Sequence, residues 1–298
     1  MISIVIPHIN EPQLLLQCML AIHRELVRDE IQDYEFIIVD NSDEGQGPDM
    51  MLARVFSNEK IRVLYKVENQ AMARLTGLME AKGEFVLILD SHTIVDKGIF
   101  SKSLKLMQKR PEVYLIHYPN INNGGGKFEY LYGNTWLVQG NIRIAESWPE
   151  LDYPYPITCQ YSLCMFMRKK ILDFLSPDVE REYYGYSMEE PNLGYRVWCM
   201  GKQVWIIPTI VNIHNSGRKQ QGNMPLEEQR LTTAYVLGGE IFYENWYREW
   251  INQGSLRSGW MLDKDKVKGD REFILKNAKY TIQELPEVWR KVGEEYSA

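Results

Sequence analysis

The 298-residue chain is short of cysteine, has no long apolar run and carries no excess of positive charge. Each shortage removes a class of function. The four cysteines, Cys18, Cys159, Cys164 and Cys199, make no CxxC pair and are too sparse for a disulfide scaffold. No Asn-x-Ser/Thr acceptor site occurs either, and the two absences together lead to the expectation of a reducing, cytoplasmic setting. No stretch approaches the roughly 20 apolar residues of a membrane-spanning helix, and the opening Ile2-Ser3-Ile4-Val5-Ile6-Pro7 lacks the basic flank of a secretory leader. A soluble protein is expected. The net charge of -6 leaves nucleic acid a possible partner that charge does not favour, since it would need a local basic patch. There is no internal repeat, and 45% hydrophobic with 25% charged residues is the composition of an ordinary globular chain able to bury a large core.

What is present begins with alternation. Ile2 to Pro7 reads as a buried strand, Glu11 to Arg28 as a helix through Leu14, Cys18, Ile22 and Leu26, and Glu35 to Asp40 as a second strand. A helix over Asp49 to Ser57, a strand over Ile61 to Lys66, a helix over Gln70 to Lys82 stopped by Gly83, and a strand over Glu84 to Leu89 follow. Alternation of this kind predicts an α/β fold: a parallel sheet with helices on both faces. From about residue 111 the pattern becomes a mixed, partly antiparallel continuation, with strands at Tyr130 to Gln139, Ser162 to Met167 and Gln203 to Pro208 and a helix opened by Pro191 and closed by Gly201. The expected division is 1–225 as one catalytic domain (a nucleotide-binding half, 1–110, and an acceptor and metal half, 111–225), then 226–298 as a helical C-terminal extension. Its first helix, Leu226 to Gln253, carries Tyr243, Trp246, Tyr247 and Trp250. That aromatic stripe reads first as core packing and second as an acceptor platform or a homo-oligomer face.

The chemistry is concentrated where the apolar run Phe85 to Leu89 stops at Asp90-Ser91-His92. Period-two alternation would put Asp90 and His92 on one side of the chain, at the carboxyl edge where open α/β sheets bind ligands. One carboxylate and one imidazole suit manganese or another borderline divalent ion better than calcium. Taken alone, the tripeptide is as readily a polar strand cap. Asp40, ending the second strand, can accept from a base or a ribose hydroxyl, or can make an Asx turn with Ser42. Arg74, on the helix between those strands with small neighbours, can meet a phosphate or a base bidentately, or simply be solvated.

These motifs, Ile2 to Pro7 with Asn10-Glu11, then Val39 to Ser42, Asn69 to Gly83 and Leu89 to His92, resemble glycosyltransferase family 2, a group with the GT-A nucleotide-sugar fold. The usual third residue of its metal-binding motif is Asp, and His92 instead resembles the Asp-x-His of the polypeptide N-acetylgalactosaminyltransferases. Glu189-Glu190 before Pro191, then Arg196-Val197-Trp198, then His214 six residues after Pro208, are similar to motifs of the second half of such enzymes. The likeness runs over about residues 1 to 220. It implies Asp90, His92 and His214 as metal ligands, Mn2+ or Mg2+ as the ion, and Glu190 as general base with Glu189 orienting a hydroxyl. It also implies Pro7, Glu11, Asp40, Arg74, Asp90 and Ser91 at the donor nucleotide. Arg218 and Lys219, in the polar loop after His214, are placed to fold over the diphosphate or form a solvated charge pair.

The resulting expectation is a GT-A glycosyltransferase that moves a sugar from a nucleoside diphosphate, UDP by resemblance, to a hydroxyl on a glycan, a protein or a modified nucleobase. Stereochemistry stays open, because Glu190 matches the inverting family while Asp-x-His matches a retaining branch. A non-catalytic nucleotide-sugar-binding protein is one alternative. A nucleotidyltransferase is another, although Pro7-His8-Ile9-Asn10-Glu11 supplies no glycine-rich basic loop after the first strand.

Overall fold

An unbroken apolar strand can persist only where both of its faces are covered, and Ile2 to His8 is buried at every position. The structure, a computed structural model, describes residues 1–44, 47–48, 60–65, 70–122, 129–131, 134–138, 141–145, 152–158, 164–176, 189–215, 226–252 and 261–297. In chain order the first half gives β1 (Ile2–His8), α1 (Pro12–Arg28), β2 (Tyr34–Asp40), β3 (Ile61–Tyr65), α2 (Gln70–Glu80), β4 (Phe85–Leu89), β5 (Thr93–Ile94), α3 (Ile99–Lys109), β6 (Val113–His117) and β7 (Asn120–Asn122). There follow β8 (Glu129–Leu131), β9 (Asn134–Val138), β10 (Asn141–Ala145), β11 (Tyr155–Pro156), β12 (Cys164–Arg168), α4 (Glu189–Cys199), β13 (Gln203–Ile206) and β14 (Asn212–His214). The C-terminal part is α5 (Leu226–Gly238), α6 (Glu240–Asn252), α7 (Lys268–Asn277) and α8 (Leu285–Ser297).

Eight strands form the main sheet in the order β11-β13-β6-β12-β4-β1-β2-β3. β1 to β4 are mutually parallel, β12 runs antiparallel between β4 and β6, and β13 returns parallel to β6. This is the mixed, mostly parallel GT-A arrangement that the alternation and the motifs predicted. The chain leaves β1 toward β2 and β3, then crosses back to β4 on the other side of β1, so the strand order reverses at the β1/β4 boundary. Ligands of open α/β sheets bind outside the carboxyl ends at such a reversal.

Side chains divide by parity between two cores. Ile4, Ile6, Phe36, Ile38, Leu87 and Leu89 face α1 and α3, while Val5, Ile37, Val39, Val86 and Ile88 face α2, α4 and the C-terminal helices. α2 lies directly against β1. A Cβ on Gly77 would stand 2.2 Å from Val5 Cγ1, so only glycine lets the helix come this close and set Gln70 and Arg74 over the strand ends.

Several boundaries differ from the sequence reading. The strand expected over Tyr130 to Gln139 is two strands in different sheets, β8 paired with β7 and β9 with β10. The helix expected from Leu226 to Gln253 breaks at Gly239, whose φ of 79° is the left-handed conformation that ends helices. α4 begins at Glu189, two residues before Pro191, which sits inside its first turn, where a missing N–H costs nothing. The expected helix over Asp49 to Ser57 lies outside the described residues.

The C-terminal helices do not float. Leu231, Leu237, Tyr243, Ile274 and Leu285 belong to the same hydrophobic cluster as Val5 and Val39. Tyr243 stacks on Tyr247 with ring centroids 5.5 Å apart, the packing reading of the aromatic stripe; the side chains of Trp246 and Trp250 lie outside the described residues. Arg196 of α4 forms a bidentate ion pair with Asp270 of α7, their side chains 2% and 1% exposed. Lys279 and Tyr280 donate backbone N–H groups to Cys199 O at 2.7 and 3.0 Å, capping α4 from the α7–α8 connection. Breaking a buried pair strands a charge without its partner. Asp270→Asn should therefore lower unfolding free energy by about 3 to 5 kcal/mol. Urea denaturation at neutral pH measures this, and a loss under about 1 kcal/mol would show that the pair does not hold the C-terminal helices to α4.

Candidate metal and nucleotide site

β4 ends at Leu89, and Asp90, Ser91 and His92 form a turn in which Thr93 N–H donates to Asp90 O at 3.0 Å. Strand alternation is therefore not what brings Asp90 and His92 together; the turn does. β5 then pairs antiparallel with β14, placing Thr93 opposite His214, and Asn215 N–H donates to His92 O at 3.1 Å. Asp96 locks this pairing: its Oδ2 accepts Val211 N–H at 3.1 Å, and its own N–H donates to Asn212 Oδ1 at 3.0 Å. A side chain 122 positions away is thereby delivered to the turn.

His92 Nε2 and His214 Nε2 lie 2.7 Å apart, and they stand 3.9 and 3.7 Å from Asp90 Oδ2. All three residues are buried, and they are the group of metal-capable side chains found among the described residues. Donor atoms bonded to one divalent ion at about 2 Å stand about 3 to 3.5 Å from each other, so small side-chain shifts let this triangle take a cation. The two carboxylate oxygens of Asp90 are not equivalent. Oδ1 accepts from Arg74 Nη2 at 2.7 Å and from Gln70 Nε2 at 2.8 Å, whereas Oδ2 is buried with no hydrogen-bond partner. A buried acceptor left over beside two imidazole nitrogens is what a metal ligand looks like before the ion is counted. Burial opposes ionisation of Asp90, yet the Arg74 guanidinium, together with His214 and His92, outweighs it and holds the carboxyl well below the usual carboxylate range. Asp90 is thus ready as an anionic ligand. Arg74, expected at a phosphate or a base, spends this contact on Asp90.

The opposite wall of the crevice is built by β1 and β2. β1 pairs with β4 only through Val5, while it continues against β2 through Pro7 and His8, so the two central strands part where Pro7 offers no N–H. Asp40 Oδ1 accepts from Ser42 N–H at 3.1 Å, an Asx turn, and from Ser42 Oγ at 2.6 Å and His8 Nδ1 at 2.9 Å. The turn reading of Asp40 is therefore present at a residue that also lines the ligand edge. Glu11, expected at the nucleotide, places Oε2 2.9 Å from His92 Nδ1. Ser91 is buried within the turn.

α4 precedes β13, which runs parallel to β6 and β4, so its first turn with Glu189 and Glu190 starts at the carboxyl edge that carries Asp90. The Glu189 and Glu190 side chains, and Arg218 and Lys219 altogether, lie outside the described residues. Sequence reasoning missed three polar groups: Gln70, His8 and His117. Gln70 and His8 stood inside quoted motifs, but nothing in a linear pattern says which carboxylate each will meet. His117 ends β6 fully buried, with neither ring nitrogen hydrogen-bonded.

Comparison with known proteins bears on this geometry. The description "Glycosyl transferase family 2" matches residues 3–175, more than half of the chain. The chain belongs to glycosyl transferase family 2. "Glycosyltransferase GlyG" of Streptococcus pneumoniae serotype 4 is 27% identical over 144 residues, 47% of this chain and 46% of that protein, so the match spans about half the length of this relative. The crystal structure of GalNAc-T7 with UDP, GalNAc and Mn2+ superposes with a TM-score of 0.68 at 16% identity, covering 91% of this chain and 54% of that one. S. aureus TarS, residues 1-349, gives 0.54 at 12% identity over 93% of this chain and 81% of that one. At such identities the likeness is one of fold. It extends past the family match, taking in much of the C-terminal part of this family 2 chain.

Two measurements test the site. His214→Ala removes one corner of the triangle and should weaken Mn2+ binding at least tenfold with the fold intact; unchanged affinity by calorimetry rules out this ligand set. His117 concerns stability instead. Burial pushes its pKa down to about 3, so the folded protein keeps it neutral while the unfolded chain protonates it below about pH 6.5. Its contribution is whole above pH 6.5 and is lost as pH falls toward 3. The cost approaches 1.4 kcal/mol per pH unit, or about 2 kcal/mol between pH 6.5 and 4.5. Against His117→Phe, wild type should lose that much more stability over this range, and parallel curves would refute a neutral buried imidazole.

Proposed function

We propose that this family 2 chain is a metal-dependent glycosyltransferase that passes a sugar, a hexosyl or N-acetylhexosaminyl group, from a nucleoside diphosphate to an acceptor hydroxyl. The observation that carries the reading is the Asp90, His92 and His214 triangle, with an unpartnered carboxylate oxygen, at the strand-order reversal of a GT-A sheet. UDP is the favoured nucleotide and Mn2+ the favoured ion. Oxygen and imidazole donors suit manganese, and GalNAc-T7, of the same fold, carries UDP and Mn2+ in its crystal structure.

Each residue has a part. Asp90, His92 and His214 would hold a divalent cation, with Mg2+ the alternative ion, whose chemistry is to neutralise charge building on the departing diphosphate. Arg74 and Gln70 keep Asp90 ionised and fix which oxygen faces the imidazoles. Asp40, beside the crevice, accepts from base or ribose, and Pro7 and Ser91 shape its floor. Arg218 and Lys219 close over the phosphates. Glu190, at the first turn of α4, accepts the proton of the attacking hydroxyl; the positive helix end favours its carboxylate form, and Glu189 orients the hydroxyl. The acceptor is a glycan, a protein hydroxyl or a modified nucleobase.

Calorimetry of nucleotide sugars with and without Mn2+ tests the donor, and a panel in which none binds sinks the proposal. Glu190→Gln should lower kcat by about 10²- to 10⁴-fold with donor affinity preserved. A product whose anomeric coupling shows retained configuration would take the base role away from Glu190.

A further inference from the structure

The ring nitrogen of His92 that faces away from the triangle is held by a carboxylate that no part of the reaction scheme requires. We propose that Glu11 is a positioning residue for His92, and that His8 and Asp40 hold Glu11 in place, so the two walls of the crevice form one hydrogen-bonded unit. The proposal rests on the metal-site reading above.

The chain of contacts is short, buried at His8 and Asp40 and partly buried at Glu11. Asp40 Oδ1 meets His8 Nδ1 at 2.9 Å, Glu11 N–H donates to His8 Nε2 at 3.2 Å, and Glu11 Oε2 meets His92 Nδ1 at 2.9 Å. An amide N–H can only donate, so His8 Nε2 must be the acceptor and the His8 proton sits on Nδ1, aimed at Asp40. The same logic applies to His92. A carboxylate on Nδ1 selects the tautomer with its proton there, which leaves the Nε2 lone pair pointing at His214 Nε2 and Asp90 Oδ2.

Glu11 is placed for this task by the backbone. It is the residue before α1, whose first helical residue is Pro12, and its side chain makes no capping hydrogen bond to the helix. The carboxylate is therefore directed at His92 and not at the helix end. The loop that carries it is stitched to the loop after β2: Asn10, in the left-handed region at φ 53°, donates from Nδ2 to Asp43 Oδ2 at 2.8 Å, and Asp43 N–H returns to Asn10 Oδ1 at 2.8 Å. Asn10 N–H also donates to Ser42 Oγ at 2.8 Å. Neither β1–β4 pairing nor the metal triangle needs these bonds, yet together they fix Glu11 against the wall that bears Asp40.

The test is metal binding without substrate. Mn2+ affinity of the full chain should fall about 10- to 100-fold in Glu11→Ala, less in Glu11→Gln, whose amide oxygen can still accept from Nδ1–H, with thermal midpoints close to wild type. In the Co2+-loaded protein, the exchangeable, hyperfine-shifted His92 Nδ1–H signal should be present in wild type and lost in Glu11→Ala. His8→Leu, which touches no metal ligand, should weaken Mn2+ as well. Wild-type affinity in Glu11→Ala, or equal affinity in the alanine and glutamine variants with the proton signal retained, overturns the positioning role. Wild-type and His214→Ala proteins that bind Mn2+ equally would overturn the metal reading itself, a separate outcome.

Discussion

Everything at this site depends on the unequal use of one carboxylate. Arg74 and Gln70 occupy Oδ1 of Asp90, and the Arg74 charge, with His214 and His92, favours the ionised form against the opposing effect of burial. Their hold on Oδ1 also leaves Oδ2 buried without a hydrogen-bond partner, facing two imidazoles. The close fit of α2 on β1, possible because Gly77 has no side chain, is what lets Arg74 and Gln70 reach, so a packing constraint in the core sets the electrostatics at the edge.

Two long-range pairings complete the arrangement, and they are of different kinds. The β5–β14 ladder, held by Asp96, brings His214 to His92 through backbone geometry. The C-terminal helices act at a distance: the Arg196–Asp270 pair and the Cys199 carbonyl tie α7 and its following loop to α4, the helix whose first turn carries Glu189 and Glu190. Among the described residues, the C-terminal segment thus braces α4 and adds no side chain to the Asp90, His92 and His214 cluster.

Much of this was legible in the linear sequence. The β/α alternation foretold the sheet, and the apolar run stopping at Asp90 with the later His214 foretold the residues that the structure brings together in one cluster. What the sequence could not carry was pairing between side chains. Arg74 reads equally well as a phosphate clamp or as a partner for Asp90, since both need a guanidinium at the start of that helix. That Glu11 meets His92 is likewise invisible in the sequence, because the turn at Asp90 is what brings the ring within its reach. The alternation argument for Asp90 and His92 reached the right neighbours by the wrong geometry, because the strand gives way to a turn one residue before the motif begins. His117 left no signal at all; an apolar strand that closes on histidine looks the same whether or not the ring finds a partner.

The choice of imidazole over carboxylate at position 92 has an electrostatic consequence. Asp90 is already balanced by Arg74, and two neutral imidazoles add no charge, so the Glu11 carboxylate is the one further anion in contact with the ligand set among the described residues. A divalent ion placed there would leave the cluster with net positive charge, whereas an aspartate at position 92 would cancel one more unit of it. In a buried setting that unit acts at low effective dielectric, where it is worth several times its value in water. A cluster kept positive is suited to a departing diphosphate, whose negative charge rises as the sugar leaves. The same reasoning explains why Glu11 stands behind His92 and not beside the ion. Under the proposed function it would there supply orientation and basicity through the ring, with its charge on the far side of the imidazole from the phosphates of a bound donor.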